Sequence, residues 1–355
     1  MFPLEANCVY PRNEWYVGAL SHEVGRTLFE RKILDEPVVF YRTEEGKAVA
    51  MAGLCPHRLY PMVKGKLIGD TVECGYHGLT FGCDGVCTRI PSQDTVPKSF
   101  KTRIFPTFEK AGWVWIWMGD ADLADTGKVP LAYCQPGWDT QFVKTYHVQA
   151  RYTLLIENLM DLSHISYLHG RSLPGDAFSK FPVVLEERAD SFRAVRKVTN
   201  QPYDGYSTFL FGPGSGTQDF DAPTDYHSPA LIISGSVHRL SSGEHLGAMR
   251  FLHALTPETP TTTHYFGGST RDFRQGDEQL SQALLGLDDV VRQEDADGLA
   301  AIEPYIGQHA DFKKELSVTA DSGAIRVRRM LSRQIKSELG VASAASEGLS
   351  VVKVS

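Results

Sequence analysis

The sequence predicts an α+β fold in which a small antiparallel β domain precedes a larger domain of strands and helices. Short strand-like runs separated by Gly, Pro, Asp or Lys fill the first third of the chain, and two segments with helical periodicity occur only after it. A chain of 355 residues is long enough for two domains. We expect domains at residues 1–125 and 126–340, joined in the polar stretch 120–130, and a flexible tail at 341–355.

The strands expected in the first domain lie at residues 15–20, 37–41, 48–53, 72–74 and 113–118. In the last of these, three tryptophans alternate with aliphatic residues. Since side chains alternate between the two faces of a strand, this pattern predicts one face lined with indole rings.

The second domain is expected to contain strands at residues 192–198, 230–237, 248–255 and 263–267, and helices at residues 152–168 and 276–305. Residues 203–226 are crowded with Gly, Pro, Asp and Ser. This composition predicts a long mobile loop that could gate a binding pocket.

Composition and charge exclude several classes of function. The net charge is −7 and no basic stripe is present, which argues against binding to nucleic acid. The longest apolar run, at 113–118, is too short to cross a membrane, and the N-terminus lacks the pattern of a signal peptide. We therefore expect a cytoplasmic protein. Six cysteines in such a chain indicate metal binding rather than a disulfide framework.

The first candidate metal site is Cys55-Pro-His57, followed by Cys74-Gly-Tyr-His77. Two loops that each offer one thiolate and one imidazole match the ligands of a [2Fe–2S] cluster held by two Cys and two His. The alternatives are a zinc site with two Cys and two His, or buried cysteines that bind nothing. Cys83 and Cys87 could join a zinc site, although their sequence context favours small residues at a turn.

The second candidate site combines Asn158, Asp161, His164 and His169. The first three recur every three residues and would share one flank of the expected helix, while His169 follows further on. Two histidines and one carboxylate form the facial triad of non-haem Fe(II) oxygenases. The carboxylate is expected from the acidic run at residues 294–297 of the second helix, although such a run is commonly a solvated helix face.

The motifs C-x-H-x16-C-x2-H and N-x2-D-x2-H-x4-H together resemble the α subunits of Rieske non-haem iron aromatic oxygenases, and within them the vanillate and dicamba O-demethylase oxygenase components. The resemblance extends over about residues 11–338. Supporting stretches lie at residues 12–17, 55–58, 74–78, 158–161, 255–258 and 294–295. It implies a Rieske domain followed by a helix-grip-like catalytic domain with a central antiparallel sheet and flanking helices.

The same resemblance implies a role for each site residue. Cys55 and Cys74 would hold one cluster iron, and His57 and His77 the other. The ligands of the mononuclear Fe(II) would be His164, His169 and Asp295. Asp161 would link His77 of a neighbouring subunit to His164, and Asn158 would lie near the iron. His253 matches a substrate-contacting position, and its companion on the preceding strand would be Ile233, so recognition of a carboxylate is weakened.

The activity implied is that of a terminal oxygenase that uses O2 and NAD(P)H-derived electrons to O-demethylate a small aromatic compound. Electrons would come through a ferredoxin and/or a flavin reductase, and the oxygenase would be a homotrimer. Residues 54–103 carry seven basic and four acidic side chains, which suits an acidic donor. Alternatives are N-demethylation, methyl hydroxylation or ring dihydroxylation at the same iron, or a non-catalytic Rieske electron carrier.

Overall fold

The computed structural model describes residues 10–133, 136–173, 175–188, 191–306 and 316–340. In this part of the chain, every strand pairing is antiparallel, with three small sheets before one large sheet. None of the described helices has the length and apolar composition needed to cross a membrane. The expected tail at 341–355 lies outside the described residues.

The first domain consists of short strands whose sheets have the orders β1-β11-β10, β2-β3-β4-β9 and β5-β6-β7-β8. Five of them, β1, β3, β4, β6 and β11, match the five expected strands to within one residue at either end, and the other six were not expected. The strands are β1 (Trp15–Leu20), β2 (Phe29–Ile33), β3 (Glu36–Arg42), β4 (Ala48–Ala52), β5 (Lys66–Ile68), β6 (Thr71–Glu73), β7 (Thr80–Phe81), β8 (Cys87–Arg89), β9 (Ile104–Phe105), β10 (Thr107–Lys110) and β11 (Trp113–Trp117).

Strand β11 lies at the centre of its sheet and is buried on both faces. The rings of Trp113 and Trp115 are fully buried and their centroids lie 5.8 Å apart, as the alternating pattern predicts. Val114 and Ile116 on the opposite face are also buried, because they pack in the same hydrophobic core. The strand therefore belongs to the core that connects both domains, and Trp113 also packs on Phe142 of the second domain at 5.4 Å.

The second domain is built on one sheet of order β12-β19-β18-β17-β16-β15-β14, in which β13 also pairs with β19. The four expected strands are all present and longer than expected. In chain order the elements are β12 (Asp139–Phe142), β13 (Tyr146–Val148), α1 (Tyr152–Met160), α2 (Ala177–Lys180), β14 (Val183–Glu187), β15 (Phe192–Pro202), α3 (Gly205–Phe211), β16 (Thr217–Ser228), β17 (Leu231–Leu240), β18 (His245–Thr259), β19 (Thr262–Arg271), α4 (Glu278–Ile302) and α5 (Ser322–Glu338).

The prediction of a mobile loop at residues 203–226 is wrong. This segment forms α3 and most of β16. Asp204 caps α3 by accepting a hydrogen bond from the backbone N–H of Ser207 at 2.9 Å, and β16 pairs with both β15 and β17. Local composition indicated a loop because it carries no information about these neighbouring strands, which satisfy the backbone of β16.

The two domains meet where β1 and the end of β2 contact β18. The hydroxyl of Thr256 donates to the carbonyl of Val17 at 2.8 Å, and the backbone N–H of Leu34 donates to the carbonyl of Pro257 at 2.9 Å. These bonds fix the first domain against the end of β18, an interior strand of the catalytic sheet. The boundary at about residue 125 lies between β11 and β12 and stays a prediction.

Candidate metal centres

Cys55 and Cys74 begin two loops with the same backbone structure. The carbonyl of Cys55 accepts from the N–H of Leu59 at 2.8 Å, and the carbonyl of Cys74 accepts from the N–H of Gly78 at 3.0 Å. Leu59 and Gly78 also share a left-handed conformation, with φ of 55° and 70°. Glycine adopts it without strain, whereas a leucine costs about 1–2 kcal/mol, so the surrounding structure must enforce the loop at Leu59.

The two loops bring the predicted cluster ligands together. Cys55 and Cys74 are buried, whereas His57 and His77 are exposed with their ring centroids 4.7 Å apart. Burial raises the pKa of the Cys55 thiol to about 11; the N–H groups of His57 and Arg58 oppose this shift, and the Cys74 thiol adds to it. Two buried thiols and two imidazoles at the surface fit the ligands of a Rieske cluster. Its iron would bind the sulfurs as thiolates and so displace the thiol protons.

Cys83 and Cys87 lie apart from this arrangement. Cys83 is exposed, and the thiol of the buried Cys87 contacts the carbonyl of Arg89 at 3.4 Å. The exposed Cys83 agrees with the turn favoured by the sequence, whereas Cys87 begins strand β8. These environments do not support the alternative of a zinc site that includes these two cysteines.

The helix expected at residues 152–168 is wrong in its second half, since α1 ends at Met160. Asp161 has an extended backbone (φ −120°, ψ 95°), and its carboxylate accepts from the N–H of Ser163 at 3.0 Å. This cap starts a separate 3₁₀ helix at Leu162–Ser166. Asn158, Asp161 and His164 therefore do not share one helical flank, and the bend gives His164 and His169 a common direction.

His164, His169 and Asp295 form the second candidate metal centre. One ligand atom from each lies within 4.8 Å of the others. Nε2 of His169 is 3.1 Å from Oδ1 of Asp295, and Nε2 of His164 is 3.5 Å from the same oxygen. His169 and Asp295 are buried. Two imidazoles and one carboxylate converging on one point match a facial triad for Fe(II).

The surrounding hydrogen bonds orient these three side chains for a metal. Nδ1 of His169 donates to Glu294 at 2.8 Å, and Nδ1 of His164 donates to the backbone carbonyl of Asp161 at 2.6 Å. Asn158 donates to Oδ1 of Asp295 at 2.8 Å. With a proton on each Nδ1, the lone pairs of both Nε2 atoms face Asp295, which is the tautomer that a bound metal requires.

The electrostatic environment differs between the two histidines. Burial lowers the pKa of His164, although the Asp295 carboxylate opposes this shift. Burial also acts to lower the pKa of His169, but the carboxylates of Asp295 and Glu294 outweigh it and raise that pKa. A cation among these ligands would compete with the second proton that the imidazolium form of His169 carries on Nε2.

Asp161 contacts His164 differently from what the resemblance implies. Only its backbone carbonyl reaches His164, whereas its carboxylate accepts from Arg196 at 3.0 Å and from the hydroxyl of Ser163 at 2.9 Å. Within one chain the carboxylate therefore bridges neither His164 nor His77. Asp161 and His164 line a surface depression of about 370 Å³.

Ile233 does not lie beside His253, contrary to expectation. His253 pairs directly with Ile232, whereas Ile233 pairs with Leu252 and so points to the opposite face of the sheet. His253 is buried, and its Nε2 is 2.8 Å from the hydroxyl of Ser234. The polar companion of His253 is thus Ser234, which a shift of one residue in register would have found.

Comparisons with known proteins agree with this geometry. Residues 14–102 match the model of the Rieske [2Fe-2S] domain, and residues 148–337 match that of the vanillate O-demethylase oxygenase C-terminal domain. The chain therefore belongs to the Rieske non-haem iron oxygenases. It is the oxygenase component of a multicomponent system.

Particular relatives are similar along nearly the whole chain. The oxygenase component of dicamba O-demethylase from Stenotrophomonas maltophilia is 31% identical over 91% of this chain and 97% of its own length. That of chloroacetanilide N-alkylformylase from Rhizorhabdus wittichii is 33% identical over 93% of this chain and 97% of its own length. The crystal structure of dicamba monooxygenase bound to 3,6-dichlorosalicylic acid superposes with a TM-score of 0.85, at 30% identity, over 95% of this chain and all of that one.

Three site features were missed at the sequence level. Glu294, considered only as a rival to Asp295, instead accepts from His169. Arg196 pairs with Asp161 across a sequence distance that no local pattern reveals. Arg292 donates to Nδ1 of His253 at 3.1 Å. Its helical spacing, three residues before Asp295, was the signal that could have found it.

Proposed function

We propose that this enzyme O-demethylates a small aromatic compound, with Cys55, His57, Cys74 and His77 holding its cluster and His164, His169 and Asp295 its mononuclear iron. When bound, the iron supplies O2 activation and the cluster supplies single electrons. The observation that carries the proposal is the triad itself, in which three ligand atoms lie within 4.8 Å and both histidines donate from Nδ1 to other partners. A simple electron carrier has no need of this second centre.

The choice of reaction rests on the relatives. Dicamba O-demethylase and vanillate O-demethylase are named for removal of an O-methyl group. Chloroacetanilide N-alkylformylase is named for chemistry on an N-alkyl group, and this supports N-demethylation as the second candidate. The chain's metal ligands do not discriminate between them, because the substrate pocket decides which carbon approaches the iron.

Electrons are proposed to arrive from NAD(P)H through a ferredoxin and/or flavin reductase and to cross between subunits of a homotrimer. The exposed His57 and His77 support this, because the rim of the cluster site is open to a second copy. The depression that includes Asp161 and His164 offers the matching surface. Asp161 would orient His164 through its carbonyl and meet His77 of the neighbouring copy through its carboxylate.

The reaction is tested by turnover of matched methoxylated and N-methylated aromatics with a surrogate reductase, assayed by formaldehyde release. O-demethylation predicts formaldehyde and a phenol from methoxylated compounds. Formaldehyde from the N-methyl compounds alone, or a hydroxylated product without formaldehyde, would contradict it. His164→Ala is the matched control, since it should keep the cluster and release no formaldehyde.

The electron route is tested by co-expressing two inactive variants. A His77→Ala subunit lacks the cluster and a His164→Ala subunit lacks the iron, so a mixed head-to-tail trimer contains interfaces with one intact centre from each. We expect such assemblies to recover part of the activity that neither variant has alone. No recovery, with metal analysis showing the remaining sites filled, would refute electron transfer between subunits.

Asp161→Asn tests the same route at one residue. Loss of the charge should leave both metals bound and slow electron transfer to the iron, because a charge-assisted bond to His77 would be lost. Asp297→Asn, which changes an exposed carboxylate on α4, should leave that rate unchanged. Equal rates in the two variants would remove Asp161 from the route.

A further inference from the structure

Helix α4 buries a pair of opposite charges next to the metal ligand. Asp288, Arg292 and Asp295 are separated by four and three residues and so lie along one face of the helix. All three are buried, with 6%, 1% and 5% of their surfaces exposed. At 1.5 Å per residue, Asp288 is about 10 Å from Asp295 along the helix axis, which is about the length of a substituted aromatic ring.

The guanidinium of Arg292 is held in place by several partners. Its Nε donates to Oδ1 of Asp288 at 2.9 Å, and its Nη1 donates to Nδ1 of His253 at 3.1 Å. A third bond, to the carbonyl of Gly268, is long at 3.3 Å. Gly267 on β19 lies beside this guanidinium, and a Cβ at that position would be only 2.6 Å from Cζ of Arg292. The absence of a side chain at Gly267 therefore makes room for the guanidinium. Among the described residues, these bonds use three of the five N–H groups of Arg292.

The other carboxylate oxygen of Asp288 is the unusual feature. Oδ2 is buried and has no hydrogen-bond partner among the described residues. An unsatisfied buried acceptor is costly, and a charged one more so. The Arg292 charge balances that of Asp288, and because His253 accepts from Arg292 at Nδ1, its proton lies on Nε2 and the ring is neutral. Asp288, Arg292 and His253 together therefore have no net charge. They offer the unpaired acceptor Oδ2 of Asp288 and the remaining N–H donors of Arg292.

We propose that Asp288 and Arg292 select a neutral aromatic substrate that carries an N–H or O–H donor, such as an amide or a phenol, at its end remote from the oxidised carbon. Oδ2 of Asp288 accepts from this donor, and a remaining N–H of Arg292 donates to the oxygen of the same group. A benzoate is disfavoured, because its carboxylate would face the Asp288 carboxylate. This inference rests on the proposed function and names the substrate class of the same site.

The test compares two ligands of nearly equal shape, p-methoxybenzamide and p-methoxybenzoate, by calorimetric titration of the iron-loaded enzyme. We expect the benzamide to bind at least about tenfold more tightly. Asp288→Asn keeps the shape but leaves the Arg292 charge without its counterion, and should shift the preference toward the benzoate by about tenfold or more. Asp297→Asn on the exposed face of α4 is the control and should keep the wild-type ratio.

A second variant guards against loss of folding. The double change Asp288→Leu, Arg292→Met removes both charges together, which a folded core tolerates better than an isolated buried charge. It should bind both ligands weakly and with little preference. A wild-type preference for the benzoate, an unchanged ratio in Asp288→Asn, or binding of neither ligand would overturn the proposal; Oδ2 would then hold a structural water. The titration measures binding and requires no turnover. If the benzamide binds more tightly than the benzoate but no formaldehyde is released, the substrate class stands and only the proposed demethylation is contradicted.

Discussion

Three neighbouring acidic residues on α4 should respond very differently to neutralisation. Asp295 contacts both histidines of the triad, Glu294 contacts His169 from outside it, and Asp297 is exposed and accepts from Gln293 at 2.8 Å. Neutralising each one as Asp295→Asn, Glu294→Gln and Asp297→Asn therefore separates a proposed metal ligand, a residue that orients a proposed ligand, and a surface charge. The three changes are nearly isosteric, so packing is conserved.

The size of each effect follows from the contacts. Asp295→Asn removes the anionic ligand and should empty the iron site. In the unmodified protein, Glu294 accepts from the hydroxyl of Ser172 at 2.7 Å and from Nδ1 of His169 at 2.8 Å. Glu294→Gln keeps an acceptor for Ser172 but loses the charge-assisted bond to His169. Such partners typically contribute 10- to 100-fold to metal affinity, or about 1.4–2.8 kcal/mol. Asp297→Asn should change the affinity by less than about twofold, since exposed pairs contribute little.

The assay is competition for Fe(II) with a chelator of known affinity, while the visible spectrum of the cluster reports that the rest of the protein is intact. The expected order of iron affinity is Asp297→Asn, then Glu294→Gln, then Asp295→Asn. Wild-type affinity in Asp295→Asn together with loss in Asp297→Asn would refute this ligand set. Wild-type affinity in Glu294→Gln would refute the role of Glu294 in orienting His169.

Cys55→Ala should abolish the cluster absorbance and keep the mononuclear iron, since the two sites share no ligand. The control Cys83→Ala should retain both centres. Loss of both metals in Cys55→Ala would contradict the independence of the two sites. Burial lowers the pKa of His238 from 6.5 to about 4. The unfolded chain therefore binds a proton below pH 6.5 that the folded protein takes up only near pH 4, so stability should fall by up to about 3 kcal/mol as the pH drops between these values. Urea unfolding of His238→Gln should show a shallower fall, and an unchanged slope would contradict it. Arg151 and Glu303 form a buried ion pair at 2.6 Å. Arg151→Met should cost about 3–5 kcal/mol and Arg151→Met, Glu303→Leu clearly less, which thermal unfolding can compare.

The strands were predictable because their signal is local. Alternation and turn residues give β1, β3, β4, β6 and β11 to within one residue at either end. The candidate metal ligands were identified for a different reason, since Cys and His at these spacings have few other uses, and the structure brings His164, His169 and Asp295 together. Helix α4, expected at residues 276–305 and found at Glu278–Ile302, was also predictable locally, because its apolar residues recur at helical spacing.

The errors occurred where distant contacts or single side chains decide the structure. The end of α1 depends on Asp161, whose carboxylate competes for the backbone N–H of Ser163. Strand β16 requires two partner strands that composition does not reveal. Ile233 was one position away from the residue that pairs with His253, and a shift of one residue moves a side chain to the other face.

The most direct test of the central claim, that one chain holds a Rieske cluster and a mononuclear iron, is the content of iron, zinc and acid-labile sulfide in anaerobically purified protein. Both centres together predict about three irons for every two sulfides, and no stoichiometric zinc. About two irons for two sulfides would leave a cluster without the second centre, as in an electron carrier. Zinc without labile sulfide would contradict the cluster assignment at Cys55, His57, Cys74 and His77.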